Sequence, residues 1–209
     1  MKRSTASRAT ALAAVALVLP GALTGCGDAD GAPAATAPRT SGPASTGAVV
    51  GTGTFGPGCS AVPTSGRGSF DAMATLPVAT ATAGDPLLRT LATALGEARL
   101  VRALDSARGL TVLAPTDDAF VRLPGQTLDR VLADRRLLAR ILRHHVIRGR
   151  LAPDQLPGRH TTLAGDTLDV VGSGEHLAVA GDDAHVLCGN VPTANATVYV
   201  IDTVLMPRS

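Results

Sequence analysis

The chain has 209 residues, enough for one domain of ordinary size with extensions. Hydrophobic residues make up 45% and aromatic ones 2%, with no Trp, so a core has to come from Leu, Val, Ile and Ala. Nineteen basic against seventeen acidic side chains give a formal charge of +2, which excludes a polycation, and no nucleic-acid partner is expected.

Lys2, Arg3 and Arg8 form a basic start, and an apolar run follows from Ala9 to Leu19. That run is far shorter than the roughly 20 residues of a membrane span and has signal-peptide form. Leu23-Thr24-Gly25-Cys26 resembles the bacterial lipoprotein cleavage box, so residues 1–25 are expected to be removed and the Cys26 sulfur to carry lipid. The other reading is a plain secretory signal with an incidental cysteine. Without the three leader bases the count becomes 16 − 17 = −1. Two or three acyl chains would hold the protein on the outer face of the cell membrane, its only membrane contact. Residues 26–54 are Ala, Gly, Pro, Ser and Thr with few charges, a composition that reads as a disordered tether reaching about 30 Å. Residues 55–209 are left as the folding domain.

Cys26, Cys59 and Cys188 are the three cysteines. If Cys26 is acylated, Cys59 and Cys188 remain as a pair in an oxidising compartment, where a disulfide is expected. A metal site is the alternative, but two distant sulfurs without CxxC spacing are a poor zinc signal, and no metal is expected.

Short helices are predicted at Phe70–Met73 and Pro77–Ala83. A clearer one opens at Asp85-Pro86, with Leu87, Leu88, Leu91 and Leu95 on one face and Gly96 at its end. Leu100, Val101 and Leu104 mark another. Leu110 to Phe120, LTVLAPTDDAF, then encodes a strand, a stop at Pro115 and a short helix capped by Thr116 or Asp117. Thr127–Leu132 and Asp134–Arg143 give two more helices. Over this last region Arg130, Arg135, Arg136, Arg140, Arg143, Arg148 and Arg150 face only Asp129 and Asp134, so 7 − 2 = +5. The plain reading is a solvated helix face; the sharper one is a patch that meets anionic envelope polymer or lipid headgroups.

ILRHHVIRG, Ile141 to Gly149, is read as running into a strand, with His144 and His145 on opposite faces and unable to share a metal. His144 is expected to be exposed and a candidate for binding. His145 is expected in the core, bonded to polar groups of the Pro115-Thr116-Asp117 turn. Strands at Thr161–Leu163, Thr167–Val171, Leu177–Ala180, Ala184–Leu187 and Thr197–Leu205 suit an antiparallel meander. In the last, Val198 and Val200 share one face and Tyr199 and Ile201 the other, so it should be central.

Three blocks, Leu110–Phe120, Ile141–Gly149 and Asn195–Pro207 (NATVYVIDTVLMP), resemble in this order the motifs of the fasciclin domain family. The likeness spans Cys59 to Pro207, and GPGC at Gly56–Cys59 with CGNVPTANATVY at Cys188–Tyr199 brings it closer to the single-domain members. It implies an α+β fold, wedge-like antiparallel sheets with short helices packed along one side. It also implies a binding scaffold without cofactor or catalysis. Pro115, Thr116, Asp117, His145, Asn195 and Asp202 match motif positions of structural character. His144 stands where the family has a tyrosine, so tyrosine-dependent contacts do not carry over.

Catalytic look-alikes fail on inspection. Gly172-Ser173-Gly174-Glu175-His176 lacks the glycine two before serine of a nucleophile elbow. Asp117-Asp118 and Asp182-Asp183 lack calcium-loop spacing, and neither a phosphate loop nor HExxH occurs. The expected function is a lipid-anchored, non-catalytic adhesion or recognition module. It would act as a monomer on a cell-surface or extracellular protein or glycan. The alternative is a structural envelope protein that uses the arginine face.

Overall fold

The computed structural model describes residues 53–207; the expected leader, Cys26 and the tether up to residue 52 lie outside the described residues. A 3₁₀ turn at Pro57–Ala61 precedes α1 (Phe70–Thr75), α2 (Val78–Thr82), α3 (Arg89–Glu97) and α4 (Val101–Ser106). Next come β1 (Leu110–Pro115), α5 (Asp117–Val121), α6 (Gly125–Ala133), α7 (Arg135–His144) and β2 (Val146–Arg148). The chain finishes as β3 (Gly158–Thr161), β4 (Thr167–Ser173), β5 (His176–Val179), β6 (Ala184–Pro192) and β7 (Ala196–Ile201).

The α+β class holds, with one change in the sheet. Among the described residues seven strands lie in the order β2-β1-β7-β6-β5-β4-β3, and β3 through β7 form the expected antiparallel meander. β1 and β7, however, run parallel, from Leu110 opposite Ala196 to Pro115 opposite Ile201. Parity explains it. The sheet curls until its edges meet through the Ile147–Thr162 bridge. An odd number of alternating strands in a ring must place two of like direction side by side.

The two central strands separate two cores. On one side Val112, Ala114, Val198 and Val200 pack with helix residues such as Leu91, Leu104 and Leu138. On the other, Leu113, Tyr199 and Ile201 meet Leu168, Val170, Leu177 and Val179 inside the curled sheet. Every residue of β1 and β7 is buried, as the two apolar faces of the last strand require. Each fully buried leucine contributes about 1.5–3 kcal/mol. Tyr199 is held inside by donating its hydroxyl hydrogen to the Leu151 carbonyl at 2.9 Å.

Two helix boundaries differ from the sequence reading. Asp85-Pro86 does not open α3; Asp85 Oδ1 accepts from the Leu87 N–H at 2.9 Å in a local turn, and the helix begins at Arg89. Gly96 lies inside α3. The reversal is made at Arg99, whose φ of 56° is left-handed, while the Leu100 N–H reaches back to the Leu95 carbonyl at 3.0 Å.

The start of the domain is fixed to β6. Phe55 pairs with Gly189, where a Cβ would lie 2.3 Å from the Phe55 ring, so only glycine lets the ring lie there. Cys59 is bonded to Cys188 across 129 residues, the pairing that counting cysteines suggests.

Candidate functional site

The LAPTDDAF segment builds a tight junction. Pro115 ends β1, and Thr116 is the cap, its hydroxyl accepting from the Ala119 N–H at 3.2 Å. Asp117 is therefore free for another task. Its Oδ1 accepts from the Thr90 N–H at 2.7 Å, in the first turn of α3, and its own N–H donates to the Leu87 carbonyl at 2.9 Å. One carboxylate thus joins two helix starts, where negative charge is favoured. Beside it lies an open groove of about 430 Å³, lined by Leu87, Thr116, Asp118, Arg122, Leu187 and Asp202 among others.

Behind that groove Asp85 is 1% exposed, and its Oδ2 has no hydrogen-bond partner among the described residues. Burial pushes its carboxyl above the ordinary value, the Leu87 N–H opposes this, and the charge of Asp117 adds to the rise. A carboxyl raised on folding stabilises below its unfolded pKa and loses that contribution as pH rises through the folded value. Asp85→Asn keeps the acceptor for Leu87 and removes the charge. It should raise stability at pH 7 by about 1 kcal/mol, with the gain gone at pH 3. Urea midpoints at the two pH values measure this, and an unchanged or lower midpoint at pH 7 contradicts it.

Asn195 and Asp202 work in the same structural way. Asn195 Oδ1 accepts from the Val78 N–H at 2.9 Å, while its Nδ2 donates to the Leu104 and Ala107 carbonyls at 2.7 and 2.9 Å. It therefore closes the start of α2 and the end of α4 together. Asp202 Oδ1 accepts from the His185 N–H at 2.8 Å, and Oδ2 lies 3.6 Å from Arg122.

The histidine pair departs from expectation twice. His144 is the last residue of α7 and His145 its C-cap, so neither stands on a strand. His144 is 3% exposed and is not a surface contact. Its Nδ1 lies 2.6 Å from Asp166 Oδ1, and the Thr162 hydroxyl donates to the same oxygen. Burial opposes the charge of Asp166, but the hydrogen bonds from Thr162 and His144 hold it below the usual carboxylate range. His145, also buried, does not touch the Pro115–Asp117 turn. Its Nδ1 faces the Ile141 carbonyl at 2.8 Å and its Nε2 accepts from the Leu205 N–H at 2.9 Å, which fixes a neutral ring with the proton on Nδ1. Burial pushes it down to about 4, with the Ile141 carbonyl opposing and His144 adding.

A cleft of about 330 Å³ opens beside His144 and Asp166, lined also by Thr167, Asp169, Asp182 and Met206. The hydroxyl in its lining is that of Thr167, while the imidazole is bonded to Asp166, and among the described residues no three metal-ligating side chains converge. The pair ties the end of α7 to the turn before β4. Sequence reasoning missed Asp166, which sits in a Gly-Asp turn 22 residues from its partner, and no spacing signal marks it. Arg135, Arg136, Arg140 and Arg143 are exposed on α7 and are not among the residues that line either cleft. Arg150 is spent internally, donating to the carbonyls of Thr193 and Ala196.

The Fasciclin domain model matches residues 86–207. Cell surface glycolipoprotein MPB83 of Mycobacterium bovis is 46% identical over 147 residues, 68% of this chain and 66% of that protein, so the match spans just under two thirds of that relative's length. Immunogenic protein MPB70 of the same species is 42% identical over 182 residues, 83% of this chain and 90% of the relative. A solved FAS1 domain pair from the insect cell adhesion molecule fasciclin I is similar with a TM-score of 0.48 and 24% identity, over 57% of this chain and 45% of that one. Matched by the family model over more than half its length and by relatives 42 and 46% identical, the chain belongs to the fasciclin domain family.

Proposed function

We propose that the chain is an extracytoplasmic recognition or adhesion module, held at the outer face of the cell membrane through lipid on Cys26 and acting without catalysis. One observation carries the non-catalytic reading. The polar side chains of the motif blocks (Asp117, His145, Asn195 and Asp202) spend their hydrogen bonds chiefly on backbone groups of their own fold. A rigid shape remains, with its exterior free to vary. The relatives named as a cell surface glycolipoprotein and an immunogenic protein support the location. The partner would be a cell-surface or extracellular protein or glycan met by that exterior.

Cys26→Ala in the producing cell tests this. The native chain should stay with the membrane through a high-salt wash and be removed by protease added to whole cells, while the variant should be released to the medium by the same wash. Cells carrying the native chain should also adhere more strongly to a surface coated with extracellular protein or glycan. Membrane retention of the variant through a high-salt wash, which removes charge-driven contacts, would count against the anchor, and equal adhesion against the module.

A further inference from the structure

α7 runs against helix electrostatics. The first turn of a helix carries partial positive charge, so Asp and Glu stabilise it there and Arg destabilises it. Arg135 and Arg136 are its first two residues, and no acid lies in that turn. The capping Asp134 is occupied, its Oδ1 accepting from the N–H groups of Arg136 and Leu137 at 2.8 and 3.2 Å. Among the described residues no carboxylate pairs with Arg135, Arg136 or Arg143. A local choice that costs stability and serves no internal contact points outward.

The charge is also one-sided. At 100° per residue, Arg135, Arg136, Arg140 and Arg143 fall within an arc of about 140°, while Leu138 and Ile141 on the opposite side are buried. Residues 127–150 carry +5, and the rest of the chain from residue 26 carries −1 − 5 = −6. Three residues ahead of Arg135, at the end of α6, Leu132 is 54% exposed. A soluble polyanion has no use for that leucine. A lipid surface does, since it takes an exposed apolar side chain, here three residues ahead of the arginines in the chain, into the boundary between headgroups and acyl chains.

We propose that the arginine face of α7, together with Leu132, docks on anionic phospholipid headgroups. The proposal draws its setting from the outer-face location above, but its test does not. The chain from residue 26 onward, with Cys26→Ser so that no acyl chain contributes, is sedimented with vesicles of phosphatidylcholine with and without phosphatidylglycerol. Binding should require phosphatidylglycerol and weaken steeply with salt. The double reversal Arg135→Glu/Arg136→Glu should weaken it at least about twentyfold, from roughly fivefold per arginine. The same variant should unfold at a higher temperature, because glutamate suits the first turn, whereas arginines kept for the fold would give the opposite shift. Leu132→Ser should weaken vesicle binding and leave its salt dependence unchanged. Absence of binding to phosphatidylglycerol vesicles, or binding unaffected by the double reversal, would overturn the proposal. So would binding to soluble polyphosphate with none to vesicles, which assigns the face to a polymer. Failure here leaves the Cys26→Ala release experiment unaffected, so the two readings fail separately.

Discussion

Removing the Cys59–Cys188 bridge, by reduction or by the paired change Cys59→Ala/Cys188→Ala, should cost the domain on the order of 5 kcal/mol of unfolding free energy. The number follows from the loop that the bridge closes, 129 residues from the 3₁₀ turn to β6. Cross-linking the ends of so long a loop removes more disorder from the unfolded chain than from a short one. Domains of this size are stable by only about 5–15 kcal/mol, so the loss would take a large share of the total. In a thermal scan it corresponds to a fall of roughly 10–20 °C. The effect should appear mainly as a shift of the denaturant midpoint together with a larger slope, because the unfolded chain also expands. An unfolding free energy within about 1 kcal/mol of that of the oxidised protein would show that the bridge does not constrain the chain in this way.

Acid should act through His145. The ring is 2% exposed and held neutral, with its folded pKa pushed down to about 4 from the ordinary 6.5. The unfolded chain therefore takes up a proton first. The stabilisation is fully present above pH 6.5 and is lost as pH falls from there to about 4, a loss of about 3 kcal/mol at 1.36 kcal/mol per pH unit. Urea unfolding across that window should show this slope in the native chain. His145→Leu should abolish the His145 part of it. At pH 7 the same substitution should cost about 2–5 kcal/mol, since the buried Leu205 N–H loses its acceptor and the Ile141 carbonyl keeps only the backbone N–H of residue 145 as donor. Equal slopes in the two proteins between pH 6.5 and 4 would place the acid sensitivity elsewhere.

What the sequence showed and what it hid divide along physical lines. The central place of β7 was legible because Val198, Tyr199, Val200 and Ile201 leave neither face polar. The β1–α5 junction was legible because Pro115 cannot continue a ladder and Thr116 is a natural cap. The parallel pairing of β1 with β7 was not, since it depends on how many strands close the ring and not on any local pattern. The histidine pair was misread although a signal existed. Leu138, Ile141, Leu142 and His145 recur at helical spacing, which carries the helix to the pair and turns His145 inward. The Asp166 partner of His144 and the buried Asp85 are products of tertiary approach, and their surrounding residues look like ordinary turns.

The place of β7 also bears on how the molecule is made. Its partner β1 is synthesised some eighty residues earlier, and both cores rest on the pair they form. A nascent chain therefore cannot assemble its middle layer until its final strand has emerged. A contact of such sequence separation closes a long loop and belongs to the slow part of folding.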